Sequence, residues 1–308
     1  MKILSEEEIR QLEDIAYQIR KTALEIIVRA GWGHIGGSFS IAEMLACLYF
    51  RFLNVDPNNP QKPDRDYLIL SKAHSSPALY AALALKGFFP KELLHTYCTA
   101  DGLDGHTKRG NPPGVEFSGG SLGLGLSYAV GLAMGIKMRE QFKQRVYCIM
   151  GDGEINEGQV WEAAMSASHY QLDNLIAIVD YNKVGAKGFV HELMSIEPLV
   201  LKWNSFGWET REVDGHDVRE ICSALYWAKY IGVRGKPICI ISHTVKGKGV
   251  EECEFNYKWH THAPSLDKAQ SFCEELARNF GRQGEQFEIS AQSLELETLE
   301  EIIGGELR

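Results

Sequence analysis

The sequence has no long apolar run: its strand-like apolar segments are short, and none nears the roughly 20 residues a helix needs to cross a bilayer. Its first ten residues, MKILSEEEIR, contain neither an apolar core nor a small-residue cleavage site, so a secretory leader is not expected. Cysteine pairing motifs are missing too. Cys47, Cys98, Cys148, Cys222, Cys239, Cys253 and Cys273 form no CxxC pair and no regular framework. Several sit in apolar stretches such as Tyr147-Cys148-Ile149-Met150, where cysteine acts as a small core residue. A reduced, cytoplasmic setting is the expectation. Positive charge is in deficit, with 32 Lys and Arg against 41 Asp and Glu and a net charge of −9. That balance argues against nucleic acid or an anionic membrane as the main partner. What is present, 44% hydrophobic and 24% charged residues over 308 positions, is the composition of a soluble globular protein.

Ser5 and Glu8 predict a capping box ahead of Ile9, Leu12, Ile15, Ile19, Ala23, Ile26 and Ile27. Their spacing describes one face of a long helix that Gly31 can stop. Ser40 and Glu43 predict a second capping box, opening a short apolar helix through Phe50. A strand is expected at Tyr67–Leu70 and a helix from near Pro77, a permitted first-turn proline. Residues 100–125, rich in glycine and proline, read as loop, and a glycine-spotted helix follows from about Leu122 to Phe142. Strands are expected at Val146–Met150, Leu175–Asp180, Thr210–Val213 and Ile238–Ser242, with helices at 159–170, 197–206 and 217–231. Short apolar strands alternating with helices imply an α/β fold, a mostly parallel sheet covered by helices on both faces. Without a linker or repeat, 1–308 reads as a single domain, with 291–308, including the helix-like Leu294–Ile303, as a loosely held tail.

Gly31-Trp32-Gly33-His34-Ile35-Gly36 fits the dinucleotide pattern GxGxxG, but 30 glycines make a lone match weak. The pattern follows a predicted helix, whereas a dinucleotide site needs a strand before it. More informative is Gly151-Asp152-Gly153-Glu154, directly after the apolar strand ending at Met150. In open parallel sheets, ligands bind outside the carboxyl ends of the strands. The next strand ends in Asp180-Tyr181-Asn182-Lys183-Val184, which brings Asn182 to the same edge. A carboxylate with an amide oxygen is a hard set suited to Mg²⁺ or Ca²⁺, phosphate oxygens completing the shell. The bland alternative is a turn aspartate and a turn asparagine, both common after strands. The two together, each at a strand end, match the diphosphate-metal motif of thiamine-diphosphate enzymes.

Further segments resemble transketolases, and in transketolase order: Gly33-His34 with Ile35-Gly36-Gly37-Ser38, Leu70-Ser71-Lys72-Ala73-His74, Gly105-His106, the loop Ser118-Gly119-Gly120-Ser121-Leu122-Gly123, and Trp259-His260 before Ala263-Pro264. The resemblance covers about residue 10 to residue 275 and implies a thiamine-diphosphate-binding fold. It implies transfer of a two-carbon ketol unit from a ketose, a sugar phosphate, to an aldose, with the cofactor carrying the hard chemistry. It further implies that Asp152, Asn182 and the Val184 carbonyl hold Mg²⁺, for which Ca²⁺ or Mn²⁺ can substitute. His74, Gly120, Ser121, Leu122, Gly151, Gly153, Glu154, Lys246 and His260 would then surround the cofactor. His34, His106 and His260 would face substrate, where histidine can donate or accept near neutral pH. Glu157 and Glu162 are read either as acidic residues near a helix N-terminus or, by the resemblance, as lining an acidic channel between paired active sites.

The sequence also departs from the family pattern. Gly-His-Pro-Gly-Ala becomes Gly-His-Ile-Gly-Gly, Ser-Lys-Gly-His becomes Ser-Lys-Ala-His, and Thr261-His262 follows His260 where a glycine is usual. His262 therefore rivals His260. The chain ends at Arg308, and no further α/β repeat carries the glutamate that activates the cofactor's aminopyrimidine. The expectation is a separate C-terminal subunit with the pyrimidine-binding domain, in an α2β2 assembly. The competing readings are the α chain of a 2-oxo-acid dehydrogenase, a split enzyme of modified-sugar or secondary metabolism, and a non-catalytic cofactor-binding subunit.

Overall fold

The computed structural model describes residues 4–140 and 143–282. The first helix, α1 (Glu6–Ala30), begins at the expected capping box: the Ser5 hydroxyl accepts the Glu8 N–H at 3.2 Å, and the Glu8 carboxylate accepts the Ser5 N–H at 2.8 Å. It stops at Gly31, whose φ of +66° only glycine adopts cheaply. Two short helices follow, α2 (Ile35–Phe39) and α3 (Ala42–Cys47), the latter running into a wide π-type turn, Leu48–Phe52. The second capping box does not form. Ile41 occupies the N-cap of α3, while the Ser40 hydroxyl donates to Asp180 at 2.7 Å and to the Gly37 carbonyl at 3.1 Å. Glu43 is buried against Arg20 at 2.6 Å. Both side chains have charge-assisted buried partners, which outweigh a local cap.

The rest alternates as the apolar runs predict: β1 (Tyr67–Leu70), α4 (Ser76–Lys86, with Pro77 in its first turn), α5 (Leu124–Met138), β2 (Val146–Gly151), α6 (Gly158–His169) and β3 (Leu175–Tyr181). Then come α7 (Val190–Leu193), α8 (Leu199–Ser205), β4 (Glu209–Asp214), α9 (Val218–Tyr230), β5 (Ile238–His243) and α10 (Leu266–Asn279). The helices α2, α7 and α10 are not among the expected elements. The expected tail, 291–308, and the expected helix end at Phe142 lie outside the described residues.

The five strands pair in parallel in the order β1-β2-β3-β5-β4. Strand periodicity divides the core. Tyr147, Ile149, Ile176, Ile178, Ile238 and Ile240 face one way, into a cluster shared with apolar residues of α1, α3, α4 and α9. Their neighbours Val146, Cys148, Met150, Ala177, Val179 and Ile241 face the other way, toward α5, α6 and α8. Truncating a buried residue such as Ile178 to alanine would cost about 2–5 kcal/mol. A third cluster joins α10 to α1 through Tyr17, Leu24, Phe39, Trp259, Phe272 and Leu276. No helix among the described residues is long and apolar enough to cross a membrane. The register sets up the site: Gly151 pairs with Asp180, and Asp180 with Ser242. The carboxyl ends of β2, β3 and β5 are therefore flush, and whatever follows each strand meets at one edge.

Candidate active site

Asp180, at the end of β3 and 1% exposed, is the hub of that edge. Its carboxylate accepts hydrogen bonds from Ser40 between α2 and α3, Lys72 after β1, Asn182 and Thr244 after β5. Burial alone would raise its pKa, but the adjoining Lys72 ammonium and the hydroxyl donors of Thr244 and Ser40 bring it below the usual carboxylate range. One buried anion thus ties together three strand ends and the connection between α2 and α3.

Beside it lies a set of oxygen donors. Asp152 is 2% exposed; its carboxylate accepts the Gly153 N–H at 2.7 Å and the Lys183 N–H. Lys183 adopts a left-handed φ of +70° in doing so. Burial and the neighbouring Asp180 charge push the Asp152 carboxyl up to about 6, against the pull of its two N–H donors. Asn182 gives its amide nitrogen to Asp180 at 2.8 Å, and its oxygen accepts the Val184 N–H at 3.1 Å. The Val184 and Gly185 carbonyls each accept from Lys246 Nζ at 2.8 Å. One carboxylate, one amide oxygen and one peptide carbonyl fit a hard divalent cation. Among the described residues, no Lys, Arg or His forms an ion pair with Asp152, although the Lys72 and Lys246 charges lie close enough to act on it.

Facing these oxygens is a cluster of imidazoles. His34, the N-cap of α2, has ring centroids 5.2 Å from His74, 5.7 Å from His106 and 5.3 Å from His260, and His74 lies 5.2 Å from His260. Trp32 stands edge-on to His34 at 5.0 Å. Burial, with neighbouring positive charge, lowers His34 to about 4 and His260 to about 3. Burial also lowers His74, strongly, and His106. All four are therefore neutral at neutral pH, each with one donor and one acceptor nitrogen. Buried His34 Nδ1 has no hydrogen-bond partner among the described residues. Lys246 Nζ lies 2.9 Å from His260 Nδ1; burial and the Lys72 charge lower its ammonium to about 8.

The structure separates the two rival histidines. Trp259 is buried and packs edge-on to Phe272 at 5.2 Å, so His260 is held in the cluster. His262 is exposed, its ring on the outer side of Trp259, and its backbone N–H bonds Gly33 O at 3.1 Å. Two of the departures from the family pattern, Gly37 and Ala73, fall at one tightly packed place. A Cβ on Gly37 would meet Ser75 Oγ at 2.8 Å and His74 Nε2 at 3.2 Å, while a Cβ on Gly119 would lie 2.3 Å from the Ala73 methyl. The backbone at residues 37 and 119 approaches the 72–75 segment too closely for side chains.

Gly120, Ser121 and Leu122 are exposed at the mouth of the loop before α5. Buried Glu154 acts as a strut: its carboxylate takes the Ser71 hydroxyl, the Gly123 N–H at 2.9 Å and the Gly151 N–H at 3.0 Å. Glu157 occupies the N-cap position of α6 without a side-chain capping bond and Glu162 lies along the helix, both exposed. Sequence reasoning misses Asp180, Lys72 and Thr244 as an organising network. The available signal was a charged residue closing the apolar run Leu175–Val179.

Residues 12–305 match the family described as "Transketolase, thiamine diphosphate binding domain". The chain is 48% identical over 252 residues to "6-deoxy-6-sulfo-D-fructose transketolase subunit SqwG" of Clostridium sp. (strain MSTE9), covering 82% of this chain and 90% of that one. It is 40% identical to one of the subunits of the apulose-4-phosphate transketolase of Actinobacillus succinogenes, covering 86% and 96% of the two chains. Human transketolase is 35% identical, but the match spans only 43% of its length. The solved transketolase of Campylobacter jejuni superposes with a TM-score of 0.82 at 30% identity, covering 92% of this chain and 45% of that one.

Proposed function

The chain belongs to the transketolase family, as its thiamine-diphosphate-binding domain, and on that premise we propose that it is one subunit of a two-subunit transketolase. Relatives named as subunits, matched over 90% and 96% of their length, support this reading. The partner in this proposal carries the pyrimidine-binding domain, and the assembly is an α2β2 complex of the cytoplasm. The observation that carries the proposal is the convergence of His34, His74, His106 and His260 on the sheet edge that holds Asp152 and Asn182.

When bound, thiamine diphosphate would supply the nucleophilic carbon and electron sink that ketol transfer from a ketose to an aldose needs. The protein residues bind and orient it. Asp152, the Asn182 amide oxygen and the Val184 carbonyl would hold Mg²⁺, Val184 using the lone pair that its bond from Lys246 leaves free. His74, Gly153, Lys246, His260 and the exposed Gly120-Ser121-Leu122 loop would line the cofactor. His34, His106 and His260 would hydrogen-bond substrate hydroxyls and move protons, since neutral imidazoles can both give and take. Glu157 and Glu162, exposed on α6, would face another chain of the assembly. Glu154, through its three bonds within the protein, would hold the Gly123 and Gly151 backbone in place beside the cofactor.

The donor in this proposal is a modified ketose with a terminal anionic group, a sulfosugar before a sugar phosphate, because the relative with 48% identity is named for the former. Competitive assays of the complex, loaded with cofactor and Mg²⁺, would compare 6-deoxy-6-sulfo-D-fructose with xylulose 5-phosphate. A higher kcat/KM for the sulfosugar supports the assignment, and the reverse order returns the enzyme to ordinary sugar phosphates.

A further inference from the structure

Away from the imidazole cluster, where α3 packs against α9, two thiols face each other. Cys47, the last residue of α3, and Cys222, on α9, have their sulfurs 3.6 Å apart. A disulfide requires about 2.05 Å, so a closure of about 1.5 Å would join them. Room for it exists on one side: Cys222, with Arg51, Phe52, Ser223 and Tyr226, lines a surface cavity of about 700 Å³. Cys47 lies behind it, fully buried, while Cys222 is 3% exposed. The pair is thus arranged as one thiol at a cavity wall and a second directly behind it.

We propose that Cys222 and Cys47 are a reversible oxidation site, Cys222 reacting with a hydroperoxide and Cys47 resolving the product to an intramolecular disulfide. The electrostatics agree with that division. The hydrogen bond from Cys47 lowers the Cys222 thiol, against burial, and the Arg51 guanidinium lowers it further; burial raises Cys47 well above its ordinary value. The thiolate is the nucleophile in such chemistry. Cys222 sulfur attacks the terminal peroxide oxygen, the O–O bond breaks, and the alcohol (or water) leaves with a proton as Cys222 becomes a sulfenic acid. Cys47 sulfur then attacks Cys222 sulfur; the S–O bond breaks, water leaves with the Cys47 proton, and the S–S bond forms. The two thiols lose two electrons, and the peroxide gains them.

The bond would fasten α3 to α9 beside a polar network that reaches the site. Glu43, one turn before Cys47, bonds Arg20 at 2.6 Å and His216 at 3.1 Å, and the other His216 nitrogen accepts the Val245 N–H at 2.9 Å, next to Lys246.

The test is peptide mapping of the whole native chain after hydrogen peroxide treatment, under non-reducing conditions, with thiols counted before and after. The expected result is a crosslinked peptide pair containing Cys47 and Cys222, two fewer thiols in that pair, and reversal by dithiothreitol. Oxidation of exposed Cys98 maps to a separate peptide. In Cys47→Ser the crosslink disappears and a sulfenic acid probe labels Cys222; in Cys222→Ser, Cys47 stays unlabelled. If native wild-type chain leaves Cys222 unmodified, or forms the crosslink only in denaturant, the proposal is wrong, whatever the variants do.

Discussion

Asp180 holds the Asn182 amide by its nitrogen, at 2.8 Å, and so fixes which way the amide oxygen faces. The same carboxylate neutralises Lys72, with both side chains 1% exposed. Asp180→Asn should therefore do two things. Breaking a buried ion pair by removing one partner costs about 3–5 kcal/mol of stability. Losing a partner that orients a metal ligand weakens metal affinity by roughly 10–100-fold. Thermal melts and calorimetric titration of Mg²⁺ with thiamine diphosphate read the two separately. Unchanged affinity in a folded variant would reduce Asp180 to a packing role.

Asp152→Ala should abolish Mg²⁺-dependent cofactor binding, because it removes the one carboxylate of the proposed ligand set. The same titration on the assembled complex is the check. Wild-type affinity in this variant would make Gly151-Asp152-Gly153 a turn and nothing more.

His260→Ala should lower turnover by at least about a hundredfold, the usual scale for a donor aimed at developing charge. His262→Ala, at an exposed ring outside the cluster, should change it by no more than a few fold. Steady-state assays of the two variants with partner and saturating cofactor settle the ranking. The opposite order would mean that the loop rearranges on assembly.

Much of the fold and site was legible in the sequence, and for one physical reason. Apolar runs ending at Leu70, Met150, Asp180 and Ser242 could only be parallel strands between helices, and parallel strands deliver their carboxyl ends to one edge. Asp152 and Asn182 could thus be placed together from the sequence alone. Partners remote in sequence were not legible: Asp180 meets Ser40 and Lys72 from 140 and 108 positions away. Ser40 and Glu43 satisfy a local capping pattern, yet each is claimed by a distant charge. The helix α10 was missed although Ala269, Phe272, Cys273 and Leu276 recur at helical spacing.

Stability should fall with acid in two windows. His34 is lowered from 6.5 to about 4 by burial and nearby cations. The unfolded chain therefore takes up its proton first, and stability is lost as pH falls from 6.5 toward 4. Glu43 is held at about 2 against an ordinary 4.5, the Arg20 and His216 contacts overcoming a burial that would raise it. Its contribution is complete above pH 4.5 and is lost as pH falls through about 2. Urea midpoints measured across pH should fall less steeply in the upper window for His34→Asn, where His74, His106 and His260 still contribute, and in the lower one for Glu43→Gln. Parallel curves for wild type and variants would contradict these assignments.

In the proposed two-subunit enzyme, this chain supplies one half of a divided transketolase. The most direct test of this claim is a ketol-transfer assay with thiamine diphosphate and Mg²⁺, run on the purified chain, on a purified pyrimidine-binding subunit from the same genome, and on their mixture. The expected result is no turnover from either chain alone and full turnover from the mixture. Full turnover by this chain alone would contradict the claim.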